Sequence, residues 1–202
     1  NVVTQDCENT IYKHFKKVFE NSQSVWVDFE ENNIKKCVFL EFVPPVIQLV
    51  IAGAGNDVKP VTEMASILGW DAVVIDGRVN YAKKERFPSA CNVMVAKPEQ
   101  VLKNLLIDEF TYFILMTHNY IYDKALLKEL CQSNVKYIGM LGPRKKLDRM
   151  LQEFENEGNP ITDDQVHSIY SPVGMDIGAE TSEEIALSII SEIKAIHENK
   201  KS

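Results

Sequence analysis

The chain has little of what marks a small redox, metal-binding or membrane protein. Its four cysteines stand apart at 7, 37, 91 and 131, and none forms a CxxC pair, so neither a zinc knuckle nor a redox dithiol is signalled. Buried free thiols in a reducing compartment are expected instead. No apolar run approaches the roughly 18 residues of a membrane span. Repeats and low-complexity tracts are missing, and no signal peptide opens the chain, which starts at Asn1 rather than Met, as expected of a fragment. The formal net charge is −7, and the nearest thing to a basic patch is Arg144-Lys145-Lys146, too short for a nucleic-acid footprint. An acidic chain that holds an anion must do so locally, with backbone N–H groups and one or two cations. The hydrophobic share of 45% and charged share of 25% are those of an ordinary globular protein. The 202 residues suffice for one large domain, or for one domain with an appendage.

Residues 1–45 read as a small α+β appendage. Ile11, Tyr12, His14, Phe15, Val18 and Phe19 have helical spacing, and 24–29 and 36–42 read as strands around a polar turn at 30–35. Pro44-Pro45 then breaks the chain. Residues 46–202 alternate between strand and helix signals. Strands are expected at 46–52, 72–76, 91–96, 112–116, 136–140 and 167–170. Helices are expected at 60–68, 98–106, 123–131 with Asp123 as N-cap, 144–157, and 185–197. The last helix opens on a capping box, Thr181-Ser182-Glu183-Glu184, with Ile185, Leu187, Ile189, Ile190, Ile193 and Ile196 on its apolar side. Strands separated by helices make right-handed parallel βαβ units, so the fold class is α/β: a doubly wound, mostly parallel, Rossmann-like sheet with a helix–hairpin appendage.

Four motifs sit at expected strand ends. The first is Val50-Ile51-Ala52-Gly53-Ala54-Gly55-Asn56-Asp57-Val58. Gly53 permits a tight turn, Gly55, with a positive φ expected, lets a pyrophosphate approach the backbone, and the following helix start supplies N–H groups. About 20 residues on, Asp76 ends the second strand, where an acidic side chain meets a ribose diol. Arg78 leaves a phosphorylated ribose open. Val58 stands where the third glycine of the fingerprint belongs, and a merely structural βα turn is the alternative. The second motif is Thr117-His118 at the end of the fourth strand, which in the usual doubly wound order neighbours the first, so both residues should face the Gly53–Gly55 loop. His118 as a simple loop cap is the alternative. His14 and His197 are expected on helix surfaces, and His167 at the start of an outer strand. The third motif, Gly139-Met140-Leu141-Gly142-Pro143-Arg144-Lys145, places cations at a helix start against the dipole, which an anion beside Arg144 would explain. The fourth is the loop from Ser171 to Glu180, with Gly174, Asp176 and Gly178, a site wall or a structural loop. A single cavity around Gly53, Gly55, Asp57, Thr117, His118, Gly142 and Arg144 is expected, flanked by Asp76. No nucleophile–base–orienter set is visible, so turnover by this chain alone is not expected.

Six stretches in order and spacing carry a resemblance: GAGND at 53–57, GWDAVVIDGR at 69–78, RFPSA at 86–90, THNYIYD at 117–123, YIGMLGPRKK at 137–146, and PVGMDIGAETSEEIALSIISEI at 172–193. Together they resemble the carboxy-terminal domain of the XdhC/CoxI family, over roughly residues 41–197. The resemblance implies a dimeric, cytoplasmic accessory protein that binds molybdenum cofactor, promotes its sulfuration and delivers it to a xanthine dehydrogenase-like molybdenum hydroxylase, with a cysteine desulfurase as a possible further partner. The motifs and the resemblance together give the expected cofactor contacts: Gly53, Gly55, Asn56, Asp57, Asp76, Arg78, Thr117, His118, Gly142, Arg144, Gly174 and Asp176. Residues 1–45 then stand as the remnant of an amino-terminal domain. The family carries His where this chain has Asn56, and a small residue where it has Val58, so the contact at Asn56 is altered. Molybdopterin, its dinucleotide form and NAD(P) all offer a phosphate to the same loop. An NAD(P)-dependent oxidoreductase and a nucleotide-binding interaction module therefore stay open as alternatives.

Overall fold

Apolar runs separated by helix signals build one parallel sheet, described here from a computed structural model that covers residues 5–31, 33–133 and 135–198. The backbone divides into two units, 1–45 and 46–202, each taken by itself. In the first, helix α1 (Gln5–Asn21) precedes a hairpin of β1 (Val25–Glu31) and β2 (Ile34–Leu40). The pair is antiparallel with Val25 opposite Leu40 and Glu31 opposite Ile34, so the strands run further into the expected turn than the polar residues suggested. Residue 32 of that turn lies outside the described residues. Val18 and Val27 are buried, and Trp26 stacks across the ladder on Phe39 at 4.8 Å between ring centroids.

The second unit holds β3 (Gln48–Ala52), α2 (Val58–Ile67), β4 (Asp71–Asp76), β5 (Asn92–Val95), α3 (Pro98–Val101), β6 (Thr111–Leu115), α4 (Tyr120–Cys131), β7 (Ile138–Met140), α5 (Arg144–Asn156), α6 (Asp163–His167), β8 (Ile169–Tyr170) and α7 (Ser182–His197). The strand order is β5-β4-β3-β6-β7-β8, and every neighbouring pair is parallel. This is the doubly wound order, which reverses direction between β3 and β6. Successive side chains of a strand point to opposite faces, and both faces are covered. Leu49, Ile51, Val74 and Ile114 join a core with residues of α2 and α7. Val50, Ala52, Ile75, Phe113 and Leu115 join the other core with residues of α4 and α5.

Several expected elements shift. Asn119, not Asp123, caps α4: its side chain accepts the N–H groups of Ile121 and Tyr122. Asp123 lies one turn inside, fully buried. The expected helix at 98–106 ends at Val101 and tightens into a 3₁₀ turn, Leu102–Asn104. Leu102, Leu105 and Ile107 all pack on the core there, which a continuous α-helix does not allow at that spacing. His167 ends α6 instead of opening a strand, and α6 is itself an unexpected helix, started by a Thr162–Gln165 capping box. On α7 the inward stripe is Ala186, Ile189, Ile190 and Ile193, whereas Leu187 is half-exposed. At 3.6 residues per turn, Leu187 lies roughly a third of a turn from the centre of that stripe. His197 is half-buried, its Nδ1 3.0 Å from the Tyr112 hydroxyl.

The cysteines depart from expectation too. Cys131 is buried, and burial pushes its thiol up to about 11. Cys37 and Cys91 are free but exposed. Cys37 sits opposite Asp28 on the hairpin, and Cys91 directly precedes β5 at the edge of the sheet. The side chain of Cys7 lies outside the described residues.

Candidate functional site

A parallel sheet gathers the carboxyl ends of its strands on one edge, and the helix starts α2, α4 and α5 lie there with them. The turn after β3 is built to pass close to the β6 end. Gly53 has φ 128, and a Cβ added to it would lie 2.4 Å from the Met116 carbonyl oxygen. Only glycine combines that dihedral with that approach. The Gly53 N–H donates to the Ile75 carbonyl at 2.7 Å. At Gly55 the expected positive φ is not found. What a side chain would meet there is the Asp57 carboxylate, 2.2 Å from an added Cβ.

Asp57 stands at the N-cap of α2 but makes no capping bond with its side chain. Its carboxylate lies over Gly55, and its Oδ2 is 3.0 Å from His118 Nε2. His118 has φ 56 and a side chain 66% exposed. A left-handed conformation at a residue other than glycine is uncommon and costs energy, so the fold holds His118 there against its preference. This carboxylate–imidazole pair stands beside the glycine turn. The carboxylate suits the helix dipole and repels a second negative charge.

Asp76, at the end of β4, is only 3% exposed. Its Oδ2 accepts the Ala54 N–H at 2.9 Å and Arg78 Nη2 at 2.7 Å. Its Oδ1 accepts the Arg78 backbone N–H at 2.8 Å and Arg78 Nε at 2.9 Å. Burial raises its pKa, but the hydrogen bonds from Arg78 and Ala54 prevail and hold it below the usual carboxylate range. Each oxygen already takes two donors, so a ribose diol could bind here only by displacing Arg78. The Arg78 guanidinium lies 3.9 Å from the centroid of the Tyr81 ring.

Arg86 is a site residue that the motif reading did not single out. Its Nη1 donates to the Ala54 and Tyr81 carbonyls at 2.7 and 2.9 Å, and its Nη2 to Asn56 Oδ1 at 3.0 Å. It thus lashes the segment after β4 to the glycine turn and gives Asn56 its partner. The only sequence signal for it was the RFPSA stretch.

Thr117 turns inward rather than toward a ligand. It is 6% exposed, donates its hydroxyl to Asp123 Oδ1 and accepts the Asn119 N–H at 3.0 Å. Asp123 Oδ2 in turn accepts Lys146 Nζ at 2.7 Å, and Lys146 also reaches the Leu141 carbonyl at 3.3 Å. The cation at the start of α5 that enters the sheet edge is therefore Lys146, the residue after the third motif. Arg144 points out to an exposed pair with Asp148 at 3.1 Å. Gly142 has φ 113 and gives the turn its handedness.

The fourth motif forms its own hollow. Gly174 has φ 99, and an added Cβ would lie 2.3 Å from Ser188 Oγ. Its N–H donates to Glu192 Oε1 at 3.1 Å, which also accepts the Tyr137 hydroxyl at 2.6 Å. A cavity of about 580 Å³ opens here, lined by Leu141, Val173, Met175, Asp176, Ile185 and Ser188 among others. Gly53, Asp57, Thr117, His118 and Arg144 are not in its lining. The expected single cavity is thus two features: this hollow beyond β7, and the glycine turn, crossed by the side chains of Asp57, His118 and Arg86.

Residues 49–193 match the family described as the XdhC Rossmann domain. The chain is 33% identical over 156 residues to a Bacillus subtilis (strain 168) protein named as a probable xanthine dehydrogenase subunit, covering 77% of this chain and 44% of that one. It is 28% identical over 153 residues to uncharacterized protein YqeB of Escherichia coli (strain K12), covering 75% and 28%. Among solved structures it is similar to a xanthine dehydrogenase from Bacillus halodurans, with a TM-score of 0.68, 34% identity, and 85% and 48% of the two chains covered. The chain spans less than half the length of each of these relatives. The matched residues take in β3 through most of α7, the whole sheet and its glycine turn, and so the chain belongs to the XdhC family, whose Rossmann domain it contains.

Proposed function

We propose that this chain is the cofactor-handling domain of a cytoplasmic, homodimeric accessory protein. It holds molybdenum cofactor at the carboxyl edge of the sheet, promotes its sulfuration and passes it to a xanthine dehydrogenase-like molybdenum hydroxylase. A cysteine desulfurase is the proposed source of sulfur. The observation that carries this reading is the cationic lip beside the glycine turn, Arg78 and Arg86 against Tyr81, in a family member whose net charge is −7. These residues fit the phosphate end of the cofactor. Among the described residues no group of three or more His, Cys, Asp or Glu could hold a metal ion; the proposed grip is on the phosphate. When bound, the cofactor supplies the metal centre that the client uses. The chain's own part is to hold and orient it.

The test is the identity of the natural ligand. Protein purified under mild anaerobic conditions should release a phosphorylated pterin, read by mass spectrometry. A second reading, an NAD(P)-dependent oxidoreductase with His118 as acid/base, draws on the strand order and the His118–Asp57 contact. Release of NAD(P) instead of a pterin, or oxidation of hypoxanthine with NAD by the purified chain alone, would favour it and overturn the proposal.

A further inference from the structure

The glycine turn is shared by many nucleotide sites, but the end of β4 in this chain pairs its acid with an arginine two residues on. In a dinucleotide-binding fold the acid at this position accepts the two hydroxyls of the adenosine ribose, and a nearby arginine accommodates a phosphate in their place. Here the acid and the arginine are two residues apart and are joined as a fork. Both Asp76 oxygens are taken, one by Arg78 N–H and Nε, the other by Arg78 Nη2 and the Ala54 N–H. The carboxylate is 4% exposed as a side chain, while Arg78 is 50% exposed. What faces solvent at the ribose position is thus the outer edge of a guanidinium, with Nη1 not engaged by Asp76. Arg86 adds a second cation against the same ring, 3.9 Å to Tyr81 for Arg78 and 5.2 Å for Arg86. At the start of α2 stands the Asp57 carboxylate, paired with His118. The site therefore has a cationic pole at β4 and an anionic one at α2.

We propose that Arg78 is the specificity-determining residue of this site: by closing Asp76 to diols and presenting its own outer edge, it selects a ligand with a phosphomonoester at the β4 pole over one with a free ribose diol. This rests on the glycine turn being a ligand site, as proposed above. It ranks molybdopterin, which ends in a phosphomonoester, ahead of its dinucleotide form and of NAD, which offer diols. A planar guanidinium held by two bonds on one side is prepared to take two phosphate oxygens on the other.

ADP-ribose and its 2′-phosphorylated counterpart differ only in the group at issue, and neither carries a redox ring. Isothermal titration calorimetry of the full chain with both probes should show the phosphorylated one binding at least about tenfold more tightly. Arg78→Ala frees Asp76 and should reverse the ranking, with a gain for ADP-ribose and a loss for its phosphate. A thermal melt of the variant checks that it is folded, and Arg78→Lys, which keeps the charge without the fork, should lose most of the discrimination. Equal binding of the two probes by the parent chain, or an unchanged ratio in folded Arg78→Ala, overturns the proposal while leaving the glycine turn as a site. No binding of either probe at millimolar concentration, with a pterin found in the purified protein, overturns the Arg78 proposal alone. No binding with no pterin found overturns both.

Discussion

At the scale of single residues, the two glycines of the turn look alike in sequence and differ in cause. Gly53 is required by φ 128 and by the Met116 backbone, which cannot move without opening the sheet. Gly55 is crowded only by the Asp57 side chain, which can swing away. Gly53→Ala is therefore expected to cost about 1–3 kcal/mol from backbone strain alone, with further loss from the clash, seen as a clear fall in the thermal midpoint. Gly55→Ala should stay within about 0.5 kcal/mol of the parent, while the His118 ring resonances shift because Asp57 has been turned off them. Equal destabilisation by the two substitutions would contradict this division. Motif spacing alone does not separate the two positions, because it records that a glycine is present and not what stands opposite its missing side chain.

At the scale of elements, the edge between β6 and β7 is locked by one buried pair. Asp123 on α4 is fully buried and meets Lys146 on α5, whose side chain is 19% exposed. Removing one partner leaves a charge without compensation, which typically costs about 3–5 kcal/mol. Lys146→Met should fall toward the lower end of that range, because water reaches Asp123 through the gap. The double variant Asp123→Asn with Lys146→Met should recover a large part of the loss. Urea denaturation of the four proteins of this cycle reads the coupling; additive losses would mean that the pair does not hold the helices. Arg144, two residues earlier, should be neutral to stability when replaced by Ala, since its pair with Asp148 is solvated. The sequence placed cations at the start of α5 correctly, and the helical turn decides which of them looks inward.

At the scale of the whole chain, both apolar cores are made of residues between Ile47 and Ile193. Among the described residues, neither core includes one from 1–45. Residues 46–202 expressed alone should then fold, with a cooperative urea transition and the far-UV spectrum of an α/β protein. A fragment that aggregates or melts without cooperativity would show that the core depends on the first unit. The membership in the XdhC family rests on this same stretch. No helix among the described residues is long and apolar enough to cross a membrane.

The sequence by itself determined the parallel sheet, because buried strands read as unbroken apolar runs and helices as periodic ones, and both patterns are local. It determined the tight turn at Gly53 and the capping box at Thr181 for the same reason. Only the tertiary structure decided who partners whom: Asp76 with Arg78, Asp57 with His118, Asp123 with Lys146 and Thr117, Arg86 with the glycine turn. Hydrophobic periodicity reports which face of an element is covered. An ion pair depends on which loops the sheet order brings to one edge and on which way a long side chain turns once it is there, and no spacing along the chain carries that information.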